Sequence, residues 1–157
     1  MLDQGNDSGP SLEELSKQEF TWLSERLKAH REKLDGLGLR TISSYEFIGA
    51  PTSQSGRKYE DRYISRAEEQ QAIKQLEDDL EKHINVLKIF HVRDWKLKTL
   101  VLRYRYVECL EWDAVCLKIF GDCPDYRQHI ASYRRRMYRL HRTALVASFK
   151  LFGRGKQ

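Results

Sequence analysis

No stretch of this sequence approaches the roughly twenty consecutive apolar residues that a membrane-spanning helix needs, so no membrane partner is expected. The opening decapeptide MLDQGNDSGP is acidic and polar and lacks the basic-then-apolar plan of a secretory signal. The expected compartment is therefore the cytoplasm. Cysteine is scarce: Cys109, Cys116 and Cys123 are odd in number, and no Cys-x-x-Cys or Cys/His spacing suits zinc. Their seven-residue spacing would fit one helix face, but Gly121 and Pro124 interrupt it.

Catalytic signatures are missing too. His30, His83, His91, His129 and His141 never form a His-x-x-x-His pair. Gly153-Arg154-Gly155-Lys156-Gln157 lacks the Ser/Thr and the following helix of a phosphate-binding loop. No catalytic residue, cofactor or metal is expected, and the chain reads as a binding protein and not an enzyme.

What is plentiful is charge. Asp, Glu, Lys and Arg make up 32% of the 157 residues, against roughly a quarter in an average globular protein. The net charge of +5 hides an uneven distribution. Residues 1–90 carry 13 Lys and Arg against 17 Asp and Glu, while residues 91–157 carry 15 against 6. From Tyr126 to Gln157 there are nine basic residues and no acid. A field of that sign draws in a polyanion.

Hydrophobic periodicity places helices throughout. Residues 1–10 read as a disordered leader. Ser11 and Glu14 form a Ser-x-x-Glu capping box, followed by Leu15, Phe20, Leu23, Leu27 and Leu34 at helical steps. Gly36 and Gly38 are expected to end that helix, and residues 35–64, with Gly49, Pro51 and Gly56, to form a mobile connector. A second capping box, Ser65 and Glu68, predicts a helix carrying Ile73, Leu76, Leu80, Ile84 and Leu87. Residues 11–90 thus form either a helical hairpin or a coiled coil, the latter able to support a homodimer.

Residues 91–152 have a different plan. Leu97, Leu100, Val101, Tyr104 and Val107 mark a third helix, a turn follows at Cys109-Leu110-Glu111, and Trp112 to Phe120 form a short fourth helix. After a break at Gly121–Asp125, a last helix spans about 127–149, with Ile130, Tyr133, Met137, Leu140, Ala144 and Ala147 inward. The fold class is all-α, an N-terminal hairpin or coiled coil followed by a helix-turn-helix domain. In that plan a short helix braces a basic one across the DNA major groove. Arg134, Arg135, Tyr138 and Arg139 are the candidates for base contacts, because an arginine fork donates two hydrogen bonds to guanine. Arg136, Arg142, Arg103 and Arg105 are the candidates for phosphate contacts.

Three segments carry a family resemblance: Val101-Leu102-Arg103-Tyr104-Arg105-Tyr106-Val107, Leu110-Glu111-Trp112-Asp113, and Tyr138-Arg139-Leu140-His141-Arg142-Thr143-Ala144-Leu145. Together, over roughly residues 95–147, they resemble the sigma-70 region 4 helix-turn-helix, and in particular phage late transcriptional regulators of the ArpU/RinA type. The resemblance implies a DNA-binding regulator that activates phage late genes in the host cytoplasm, with RNA polymerase as a second partner. Two features depart from the pattern: Cys109 stands where the turn usually has glycine, and the break before the last helix is longer. The alternative function is a protein-interaction module docking on the host transcription machinery or another host factor. RNA binding is less favoured, since the stacking aromatics of common RNA modules are missing.

Overall fold

The computed structural model describes residues 9–42 and 53–155, and every regular element among them is helical. Helix α1 spans Leu12–Ile42, α2 Ser53–Ile89, α3 Trp95–Leu102, α4 Trp112–Phe120 and α5 Ile130–Gly155. A π-helical turn, Arg103–Val107, prolongs α3, and a 3-10 turn, Tyr126–Gln128, precedes α5. No described helix is long and apolar enough to cross a membrane.

The first capping box forms as expected. The Glu14 amide donates to Ser11 Oγ at 3.2 Å and the Ser11 amide to Glu14 Oε2 at 3.1 Å, so two donors that the helix leaves unpaired are satisfied reciprocally. Downstream, Phe20, Leu23 and Leu27 of α1 are buried against Leu76, Leu80, Ile84 and Leu87 of α2. The pairing is antiparallel, because Glu19 meets His83 while His30 meets Glu69. The hairpin expectation is met.

The expected connector over 35–64 is corrected at both ends. Helix α1 runs through Gly36 and Gly38 to Ile42, and α2 starts at Ser53, so Ser65 and Glu68 lie inside a helix and cap nothing. Residues 43–52, and 1–8 of the expected leader, lie outside the described residues. An interior glycine costs a helix only about 1 kcal/mol relative to alanine. That cost is small enough for a helix to continue through it.

Beyond α2 the chain turns at a corner where His91 (φ 49°) and Asp94 (φ 57°) both adopt left-handed backbone. The turn between α3 and α4 depends on the same conformation at Cys109 (φ 56°), the position where glycine was expected. A side chain in that region is disfavoured, but Cys109 Sγ lies 3.4 Å from Ser24 Oγ and 3.6 Å from the Tyr106 carbonyl. At the end of α4, a Cβ on Gly121 would come within 2.2 Å of the Leu117 carbonyl oxygen, so this position needs glycine.

Two hydrophobic clusters result. The first unites the hairpin with Leu102, Tyr106, Ala144 and Leu145. The second joins Val101, Val115, Cys116, Phe120, Tyr126, Met137 and Leu140. Helix α5 contributes to both, its N-terminal half to the second and its middle to the first. Ile130, expected inward, is 39% exposed at the start of α5.

Gly36 is exposed, and a Cβ there would meet nothing within 4 Å. Gly36→Ala is therefore expected to stabilise the protein by about 0.5–1 kcal/mol, measured as a rise in the urea midpoint at constant slope.

Candidate nucleic-acid interface

The buried stripe of α5 consists of Met137, Leu140, His141, Ala144, Leu145 and Ser148. Residues three and four apart are neighbours on a helix, so Arg135, Arg139 and Arg142 form one ridge on the opposite side, and all three are exposed. The side chains of Arg135 and Arg139 make no ion pair, hydrogen bond or ring contact among the described residues. Arg142 has only Glu13 of α1, at 3.9 Å, and keeps 68% of its side chain exposed.

The other candidates of α5 flank this ridge. Arg134 turns toward α4, where Nη2 donates to Asp113 Oδ1 at 2.6 Å. Tyr138 lies on the same flank, its ring edge-on to Trp112 at 5.3 Å between centroids. Arg136 leaves by the other side, its guanidinium 5.3 Å from the Phe120 ring centre. Arg127, exposed in the turn just before α5, was missed by the sequence reading; its position beside a basic helix was the available signal.

Arg103 and Arg105 are not part of this face. Arg103 donates through Nε and Nη2 to the two oxygens of Glu81, at 2.8 and 2.9 Å. That hydrogen-bonded carboxylate raises the pKa of the guanidinium above its ordinary value. Arg105 donates to the Leu110 carbonyl at 2.9 Å and covers the Trp112 ring at 4.7 Å. Both are engaged by protein acceptors, Arg103 on α2 and Arg105 on the α3–α4 turn, and the structure does not bring them together with the α5 ridge. Arg31 acts similarly, joining α1 to the Val107 carbonyl at 2.6 Å and to Glu77 at 2.9 Å.

What fixes the angle of α5 is a set of buried polar contacts. Ser148 Oγ donates to the His83 carbonyl at 2.6 Å, and the His83 ring stacks on Phe152 at 3.9 Å. Closer to the arginine ridge, the Tyr106 hydroxyl and His141 Nε2 are 2.8 Å apart in the interior. Burial pushes the Tyr106 hydroxyl up to about 12. Burial, with Lys17, Arg105 and Arg142 adding to it, lowers His141 to about 4. The tyrosine O–H therefore donates to a neutral imidazole, whose ring also meets the Trp112 edge at 4.6 Å.

This pair carries a pH dependence of definite sign. A histidine at its ordinary value of 6.5 in the unfolded chain and about 4 in the fold binds its proton preferentially when unfolded. Its contribution is complete above pH 6.5 and is lost as pH falls toward 4, by up to about 3 kcal/mol. Unfolding free energies measured across that range should fall less steeply for His141→Gln than for the parent. Parallel profiles would show that His141 takes up its proton inside the fold.

Among known proteins no family model matches the chain, and no curated protein or solved structure matches it either.

Proposed function

We propose that this protein binds double-stranded DNA through the outer face of α5 and regulates transcription. The observation that carries the reading is the contrast between the arginines. Arg31, Arg103 and Arg105 are held by protein acceptors, whereas Arg135 and Arg139 project into solvent with no partner among the described residues, one turn apart on a buried-backed helix. Unpaired arginines at that spacing are suited to guanine edges and to phosphates.

In this reading α4 and α5 serve as the two helices of a helix-turn-helix. Helix α4 lies against the N-terminal half of α5 through Val115, Cys116, Phe120, Met137 and Leu140, which would hold α5 rigid in a groove. Phosphate contacts release counterions, so binding should weaken steeply with salt. The likeness to sigma region 4 and to late phage regulators extends the proposal to activation of late operons, with RNA polymerase as a further partner. A homodimer on paired half-sites fits the same reading.

A second reading, a protein-interaction module, draws on Trp22. It is 55% exposed on α1, and Arg26 lies over its ring at 4.7 Å. Trp and Arg are the residue types most enriched at interface hot spots. Here the hairpin would bind another protein, and the ridge of α5 would dock on an acidic surface of it.

The two readings separate in a selection of duplexes from a random pool at about 150 mM salt. The DNA-reading protein enriches one motif. In Arg135→Ala or Arg139→Ala, discrimination at the contacted base should fall by about 1–3 kcal/mol. A pool with no enrichment contradicts the first reading and favours the second.

A further inference from the structure

On the strength of the DNA-binding reading, on which this rests, we infer that Asp113 is a positioning residue for base recognition, acting through Arg134. Among the described residues Asp113 is the carboxylate of α4 that an arginine of α5 reaches, at 2.6 Å. The contact uses one nitrogen, Nη2. An arginine fork has two faces that each present a parallel pair of N–H donors, Nε with Nη2 and Nη1 with Nη2. Since Nη2 carries two hydrogens, a single bond to Asp113 leaves one complete pair free.

The surroundings of Arg134 are rigid. Trp112 precedes Asp113, is covered by Arg105 on one side and meets Tyr138 and His141 edge-on. The carboxylate thus stands on the first turn of a helix packed against α5, and its contact gives the Arg134 guanidinium a preferred direction. With 78% of the Asp113 side chain and 44% of Arg134 exposed, such a pair contributes little to stability. For general DNA affinity the acid is a disadvantage, because it sets a negative charge beside phosphates. Orienting a two-donor face toward guanine is the gain that balances this.

These two effects have opposite signs, which gives the test. Duplexes carrying the enriched motif, each with one base pair changed, are titrated with the parent, Asp113→Asn, Asp113→Glu, Arg134→Ala and the Asp113→Asn/Arg134→Ala double variant. Asp113→Asn is expected to bind scrambled duplex a few-fold more tightly, yet to lose about tenfold in preference at one base pair. Arg134→Ala should lose preference at that same base pair, the double variant should lose no more than either, and Asp113→Glu should retain it. Thermal midpoints of all variants should stay within a few degrees of the parent, so that the readout separating a positioning residue from a structural clip is the loss of preference at one shared base pair. If Asp113→Asn tightens every duplex equally, or if the two variants affect different base pairs, Asp113 is an ordinary surface charge and the inference falls alone. If the parent enriches no motif, the DNA reading and this inference fall together.

Discussion

Helix α5 belongs to both hydrophobic clusters at once, and most of the architecture follows from that double commitment. Met137 and Leu140 close the cluster around α4, and Ala144 and Leu145 close the one around the hairpin. A helix buried along one stripe by two separate sets of neighbours cannot rotate about its axis without opening one of them, since interiors are close-packed. Its outward face is thereby fixed to the residues half a turn away. Arg135, Arg139 and Arg142 face solvent because Met137, Leu140, Ala144 and Leu145 do not.

Electrostatics divides the arginines along the same line. The hairpin brings an excess of acids, and Glu77 and Glu81 of α2 reach Arg31 and Arg103 at hydrogen-bond distance. Those pairs tie α1 and α2 to the π-helical turn and the following loop. Past Tyr126 the chain has no acid of its own, so the ridge of α5 could be neutralised only by another element. Among the described residues two carboxylates approach: Glu13 loosely at Arg142 and Asp113 closely at Arg134. The acid-free last segment thus presents its exposed arginines on one side of α5, while Arg31 and Arg103 are paired with acids of the hairpin.

Much of this was legible in the residues. The Ser11–Glu14 box, the stripes of the hairpin and the three- and four-residue spacing of Arg135, Arg139 and Arg142 are local features. Helix geometry converts such features directly into a face. What escaped were features set by contacts distant in sequence. Nothing near Arg103 announces Glu81, 22 residues earlier, so its pairing was not legible. Gly36 looked like a stop, but its local cost of about 1 kcal/mol is too small to end a helix by itself. Cys109 adopts a backbone conformation that glycine would take more easily, supported by a serine 85 residues away. The buried Tyr106–His141 pair was likewise invisible to a search for catalytic or metal spacing.

The central claim, that the outer face of α5 is the nucleic-acid surface, is tested most directly by following the amide and arginine side-chain NMR signals while a mixed-sequence duplex is added at low salt. Nonspecific binding uses the same basic face, so no target motif is needed. The account predicts the largest shifts at Arg135, Arg139 and Arg142, smaller ones at Arg127 and Arg134, and almost none at Arg31 and Arg103. Shifts centred on the hairpin around Trp22 and Arg26, or none anywhere, would contradict it.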